Sequence, residues 1–150
     1  MISNDFVMAD LLPHTGQMVL LDSVTFVDET RLTAQLVVRG DGLLLGNAES
    51  VPAWTGIEYM AQAIGAYVGI QAKQAGLPIQ LGFLLGTRRY DSNVDSFPVG
   101  STLSVSAEKI LQDGQLGVFE CRICGDNVAI SATLNVYQPP ESLTHRVQHE

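Results

Sequence analysis

The stretch VPAWTGIEYMAQAIGAYVGIQAKQA, residues 51–75, predicts one long and mostly apolar helix from about residue 53 to residue 75. Glu58 and Gln62 lie in its first turns, and a spacing of four places them on one face, one turn apart. A carboxylate among aliphatic side chains is costly to bury unless it is paired, and such groups are frequent at functional sites. We therefore take this helix as the centre of the fold and Glu58 as the candidate site residue.

Residues on either side of this helix supply start and stop signals. Ser50 or Glu49 is expected to cap the start, and Pro52 suits the first turn because its missing N–H would have no partner there. Gly-Leu-Pro at 76–78 predicts the end, since a C-terminal glycine is followed by a residue that cannot continue a helix. Because apolar residues occur on all sides of the helix, we expect it to be buried nearly all round.

Length and composition favour a single domain at residues 1–138, followed by a polar tail at 139–150. A chain of 150 residues can bury about 70% of the surface that its unfolded form would expose. With 46% hydrophobic and 16% charged residues the chain is rich in apolar surface, which favours subunit contacts or a lipophilic tunnel. The net charge of -8 argues against nucleic acid as a partner and against an anionic membrane surface.

The N-terminal residues 1–10 contain two acids and no positive charge, unlike a signal peptide. No apolar run reaches the length of a transmembrane span. We therefore expect a cytoplasmic protein with no membrane insertion.

Two cysteines and two histidines raise the question of a zinc site. Cys121 and Cys124 are spaced as Cys-x-x-Cys, and His145 and His149 follow in the polar tail. The cysteines lie in a segment that predicts a strand, where residues three apart point to opposite faces of a sheet. We expect two buried free thiols and no metal site.

Strand patterns flank the helix on both sides. Residues 18–28 and 31–39 predict a hairpin before it. Residues 97–100 are expected to form a longer connection. The segments after the helix predict a four-strand antiparallel meander at 79–90, 101–111, 115–124 and 127–137. Strands with one embedded helix indicate an α+β protein, in which a curved antiparallel sheet wraps around one long central helix, the hotdog fold.

Three motifs in register resemble the β-hydroxyacyl-acyl-carrier-protein dehydratases of the FabZ and FabA type. Leu-Pro-His at 12–14, followed by the apolar run at 18–22, resembles the opening of those enzymes. Glu-Tyr-Met-Ala-Gln at 58–62 resembles their helix motif E-x-M-A-Q, in which the acid is catalytic. Phe-Pro-Val-Gly at 97–100 resembles their P-V-x-x-G-D turn. The resemblance covers about residues 10–137.

One departure from that pattern concerns the catalytic histidine. Those enzymes carry it in H-F-P-G-x-P, fourteen residues ahead of the helix acid, and the corresponding position here is Leu44. The sequence is therefore more similar to the divergent ApeP-like branch of hotdog dehydratases associated with aryl-polyene clusters, which keeps L-P-H and the helix Glu. If the chain is catalytic by itself, His14 is our choice for the second group. Otherwise a partner subunit supplies the histidine in a mixed dimer.

The resemblance implies dehydration of a 3-hydroxyacyl-acyl carrier protein to the trans-2-enoyl thioester, in a fatty acid- or polyene-like pathway. The acyl chain would be carried on the 4'-phosphopantetheine of the carrier protein, with no further cofactor, and the enzyme would be a homodimer or a heterodimer with another hotdog subunit. Two alternatives stay open. A hotdog thioesterase would use Glu58 as base or nucleophile without a histidine. A catalytically incomplete subunit would complete a partner's site.

Dehydration needs two proton transfers and a donor for the developing enolate oxygen. Burial would raise the pKa of Glu58 and help it to act as an acid. Gln62 would orient that carboxyl or bind the expelled water. The helix start from Ala53 to Gly56 would offer free backbone N–H groups to the thioester oxygen.

Three further side chains are candidates for substrate binding. Trp54 would gate an acyl tunnel, although an aromatic residue at a helix start is also explained by packing. Arg88 and Arg89 would meet an acidic carrier protein or the phosphopantetheine phosphate. The same pair could instead balance Asp91 and Asp95.

Overall fold

The computed structural model describes residues 19–40, 49–77 and 82–138, apart from the side chain of Phe83. Several predictions lie outside these residues. They concern His14, the loop position Leu44, and the tail with His145 and His149.

Within the described residues the chain folds as an antiparallel sheet with one long helix. All strand pairs are antiparallel. The six-stranded sheet has the order β1-β2-β6-β7-β8-β4, and β3 and β5 form a separate short ladder. The elements are β1 Ser23–Val27, β2 Arg31–Val37, β3 Ser50–Pro52, a 3-10 turn Ala53–Thr55, α1 Gly56–Gln74, β4 Phe83–Ser92, β5 Ser96–Pro98, β6 Thr102–Asp113, β7 Leu116–Gly125 and β8 Val128–Tyr137.

The predicted end of the helix is confirmed, and the predicted start at about residue 53 is where the 3-10 turn begins, but the predicted cap is wrong. Gly76 has a φ of 71°, and the N–H of Leu77 donates to the carbonyl of Ala72 at 2.8 Å, as in a glycine-terminated helix. Ser50 lies in β3, and the residues that precede the 3-10 turn and α1, Pro52 and Thr55, make no side-chain capping hydrogen bond. The backbone N–H of Ala53 instead donates to the carbonyl of Asp95, at 2.9 Å. The loop at Asp95 therefore supplies a hydrogen-bond acceptor to the helix start, as a capping side chain would.

The four-strand meander is correct for β6, β7 and β8 and wrong for β4, which pairs with β8 at the opposite edge. The β6 position that β4 would have taken is filled by β2, which pairs with β6 from Arg31 to Val37. The helix separates β2 from β4 along the chain and delivers β4 to the far side of the sheet. The segment at 97–100 is also more than a connection, because Phe97 pairs with Val51 between β5 and β3.

One face of α1 forms the core. Met60, Ala63, Ala66 and Ile70 have almost no exposed surface, and α1 packs against β2, β6 and β7. The prediction of burial on nearly all sides holds only in part. A strip on the opposite face is only half-buried within one chain, and it consists of Ile57, Glu58, Ala61, Gly65, Val68 and Ala72.

The two cysteines lie on opposite faces of β7, as a strand requires. Cys121 is fully buried, and burial raises the pKa of its thiol to about 12. Cys124 is exposed, so the prediction of two buried thiols is wrong for the second one. Its side chain falls on the outer face because it is three residues from Cys121.

None of the helices in the described parts of the chain is both long and apolar enough to cross a membrane.

Candidate functional site

Glu58 lies in the first turn of α1 and is half-buried. The amide Nε2 of Gln62 donates a hydrogen bond to its Oε1 at 3.0 Å. This contact follows from the spacing of four, since residues i and i+4 of a helix are neighbours on its surface. The carboxyl group at the helix start therefore has a fixed neighbour on its own helix.

Gln62 is the one polar or charged side chain among the described residues that is fully buried, with 1% of its surface exposed. Its Oε1 accepts a hydrogen bond from the backbone N–H of Leu20 at 2.9 Å. Because the oxygen faces Leu20, the amide must present its NH₂ to Glu58, since only the nitrogen of the amide can donate. Only one orientation of the Gln62 amide satisfies both hydrogen bonds.

This geometry separates the two roles predicted for Gln62. Orientation of the Glu58 carboxyl fits, because the amide is held at both ends. Contact with the substrate or the expelled water does not fit, because the side chain is buried and both of its polar atoms have protein partners. Leu20 itself precedes β1, and the adjacent carbonyl of Val19 accepts a hydrogen bond from Arg39 Nη2 at 2.6 Å.

The predicted free N–H groups at the helix start are not free at Ala53 or Gly56. Ala53 donates to Asp95, and the N–H of Gly56 is directed at the carbonyls of Ala53 and Trp54. Gly56 instead matters for packing. A Cβ there would lie 2.2 Å from the hydroxyl oxygen of Tyr90, a distance that real Cβ atoms essentially never show. The absence of a side chain at Gly56 is therefore a requirement of the fold.

Tyr90 is a residue of this region that sequence reasoning missed. Its hydroxyl donates to the carbonyl oxygen of Ala53 at 2.5 Å, and burial raises its pKa to about 12. Nothing in the local sequence distinguishes Tyr90 from an ordinary strand residue. The contact joins positions 37 apart, which no spacing rule connects.

Two side chains of the 3-10 turn are unusual, one because it is a large exposed aromatic and the other because its buried hydroxyl has no hydrogen-bond partner. Trp54 is 57% exposed, so packing within one chain does not explain an aromatic residue there. The Thr55 hydroxyl oxygen is buried, and among the described side chains it is the buried polar atom with no hydrogen-bond partner. Such a group costs about 1–3 kcal/mol. Sequence reasoning did not single out Thr55.

Arg88 and Arg89 are both exposed and lie on β4, directly before Tyr90. Arg89 has a φ of 56°, in the left-handed region that residues with side chains seldom adopt. The basic pair thus lies on the strand that contacts the helix start.

A cavity of about 220 Å³ lies at the other end of α1, between the helix and the ends of β6, β7 and β8. Its lining includes Tyr67, Gln71 and Phe119, and none of the predicted site residues. Glu58 is therefore not part of the lining of this cavity.

The model of the ApeP-like family, described as ApeP dehydratase, matches residues 6–148. The chain belongs to the ApeP-like dehydratase family. A chain in the structure of the dehydratase heterocomplex ApeI:P from Xenorhabdus doucetiae is 34% identical, with a TM-score of 0.82 over 97% of this chain and 99% of that one. The predicted dehydratase family and the hotdog fold are both confirmed.

More distant structures agree on the fold alone. A hypothetical thioesterase with coenzyme A from Streptococcus pneumoniae is 12% identical, with a TM-score of 0.59 over 79% of this chain and 89% of that one. The E. coli PaaI protein is 16% identical, with a TM-score of 0.57 over 77% and 81%. Identities this low give no support to a thioesterase activity in an ApeP-like chain. No curated protein matches the chain.

Proposed function

We propose that this ApeP-like chain acts in the cytoplasm to dehydrate 3-hydroxyacyl groups carried on the 4'-phosphopantetheine of an acyl carrier protein, giving the trans-2-enoyl thioester. The observation that carries the proposal is the Glu58 carboxyl held by Gln62 at the helix start of a dehydratase-family chain. The pathway would assemble fatty acid- or polyene-like chains.

In the proposed reaction a base removes a proton from C2 of the acyl chain. The electron pair of that C–H bond forms the C2–C3 double bond as the C3–O bond breaks. Protonated Glu58 gives its proton to the departing hydroxyl group, which leaves as water. Gln62 would hold the carboxyl in one orientation towards the substrate, and positioning of this kind commonly decides rates.

The second proton-transfer group would be a histidine, either His14 of this chain or one from a partner. We propose that the partner is another hotdog subunit. Two surfaces of the chain suit such an association. The outer edge of β4 carries Leu84 and Leu85, which are 43% and 60% exposed, and β4 ends the described sheet. The half-buried strip of α1 is the second surface, and it includes Glu58 itself.

The similarity to a chain of the ApeI:P dehydratase heterocomplex supports a mixed assembly over a homodimer. Because Glu58 lies on the strip, a subunit covering this face would bring its own side chains to the acid. A histidine from the partner could then complete the site.

The experiment follows the acyl group by intact mass on the carrier protein. Purified chain, alone and co-expressed with a second hotdog dehydratase subunit, is incubated with 3-hydroxyacyl carrier protein. We expect loss of water from the acyl group in at least one of the two preparations. Release of the acyl chain as a free acid would contradict dehydration in favour of hydrolysis. An unchanged acyl group in both preparations would also contradict the proposal.

Arg88 and Arg89 are proposed to contact the acidic carrier protein or its phosphate. Charge reversal with Arg88→Glu and Arg89→Glu should raise KM for the carrier-bound substrate about tenfold and leave kcat nearly unchanged, because rim charges mainly affect association. The salt dependence of kcat/KM should weaken at the same time.

The matched control reverses two exposed cations elsewhere, Lys73→Glu and Arg122→Glu, which changes the net charge by the same amount. If KM rose equally in this control, the effect would be due to net charge, and Arg88 and Arg89 would have no specific role in docking the carrier protein. Unchanged KM in the Arg88 and Arg89 variant would do the same.

A further inference from the structure

Tyr90 reaches the helix start because β4 contains a bulge. Arg88 pairs with Thr133 and Asp91 pairs with Ser131, so Arg89 and Tyr90 together face the single residue Ala132. A bulge of this kind redirects side chains and is frequent next to functional sites. Here the left-handed φ of Arg89, at 56°, accompanies the turn of Tyr90 towards the core.

Tyr90 contacts Ala53, whose carbonyl and N–H both form hydrogen bonds with the segment 90–95. The Tyr90 hydroxyl donates to the Ala53 carbonyl at 2.5 Å, and the Ala53 N–H donates to the Asp95 carbonyl at 2.9 Å. No side chain caps the helix, either at Pro52 ahead of the 3-10 turn or at Thr55 ahead of α1. The start of the helix is therefore fixed by the strand region 90–95.

We propose that Tyr90 is a positioning residue for Glu58, which it controls through Ala53 and the 3-10 turn. The inference rests on the function proposed for Glu58. Ala53 precedes Glu58 by five residues, so a rotation or shift of the first turn moves the carboxyl group with it. Because proton transfer requires close approach, a displacement of about 1 Å is enough to lower the rate substantially.

Gly56 shows how closely the strand approaches the helix. Besides the 2.2 Å contact with the Tyr90 oxygen, a Cβ at Gly56 would lie 2.9 Å from Ile123 Cδ1 and 3.4 Å from Tyr90 Cζ. Gly56 and the Tyr90 hydroxyl group are thus in tight contact, with no room for a side chain between them. The pKa of about 12 keeps this hydroxyl protonated, and therefore a donor, throughout the physiological pH range.

The first test is Tyr90→Phe, which removes only the hydroxyl group. We expect kcat for dehydration to fall about tenfold, with KM for the carrier-bound substrate within about twofold of the parent value. A residue that contacted substrate would instead raise KM. The control is Tyr137→Phe at an exposed tyrosine of β8, which should leave both constants unchanged. Unchanged kcat in Tyr90→Phe would overturn the inference.

The second test does not depend on turnover. Gly56→Ala should lower the thermal midpoint because the new methyl group meets the Tyr90 hydroxyl. In Gly56→Ala combined with Tyr90→Phe that contact is gone, so the double variant should have a higher midpoint than Gly56→Ala alone. If the losses of thermal midpoint caused by Gly56→Ala and Tyr90→Phe simply added up in the double variant, the tight contact between the two residues would be contradicted. If the parent protein fails to dehydrate any substrate while this coupling is present, the proposed function fails and the structural part of the inference stands.

Discussion

Glu58→Gln should lower kcat for dehydration by about 10²- to 10⁴-fold, the range that a general acid contributes. The amide has nearly the same size and shape as the carboxyl group, but it cannot give a proton to the departing hydroxyl. The measurement is single-turnover conversion of 3-hydroxyacyl carrier protein, followed by intact mass and carried out with any partner subunit that the parent protein requires.

A matched control is Glu108→Gln, which neutralises an exposed acid on β6 and should retain parent activity. Thermal unfolding of both variants checks that the fold survives. Full activity in Glu58→Gln would remove Glu58 from the reaction. Comparable loss in Glu108→Gln would indicate a general charge effect.

Gln62→Met should both destabilise the protein and slow the reaction. Methionine has a similar length and no hydrogen-bonding amide, so the Leu20 N–H is left without this acceptor and the Glu58 carboxyl without this donor. A buried donor without a partner costs about 1–3 kcal/mol, and each 1 kcal/mol corresponds to about 2–4 °C in a domain of this size. We expect the thermal midpoint to fall accordingly, and kcat to fall about 10- to 100-fold because the acid loses its orientation.

Gln71→Met is the matched control on the same helix. The Gln71 amide donates to the Asp28 carbonyl at 3.2 Å, near the far end of α1, so this variant loses one side-chain hydrogen bond, whereas Gln62→Met loses two. It should lose stability without a selective loss of kcat. If both variants lost kcat in proportion to stability, Gln62 would be a structural residue only.

The parts of the fold that were predictable from sequence are those encoded by nearby residues. The helix end follows from Gly76 and the residue pattern after it, and the hairpins among β6, β7 and β8 follow from short turns. The pairing of β4 with β8 could not be predicted in this way, because it depends on where the helix crosses the sheet. The exposure of Cys124 also depends on tertiary structure, because it requires that this face of the sheet is left uncovered.

The candidate site likewise combines contacts between nearby residues, which could be predicted, with contacts between distant residues, which could not. Glu58 and Gln62 are four apart, so helix periodicity alone brings them together. The Leu20 backbone lies 42 residues from Gln62, and Tyr90 lies 37 residues from Ala53. Contacts at such separations leave no periodic trace in a single sequence. Sequence reasoning could therefore find the acid and its amide, but not the backbone groups that hold them.

The hydrogen bond from Leu20 to Gln62 also bears on shortened versions of the protein. Leu20 lies ahead of β1, in a stretch that a designer judging by secondary structure alone would regard as removable. Trimming through it would take away the backbone group that fixes the amide. We expect the shortened protein to keep its sheet and helix and to lose the alignment of the Glu58 carboxyl group. Such a deletion would resemble an active-site mutation in an assay, although no side chain of the site had been changed.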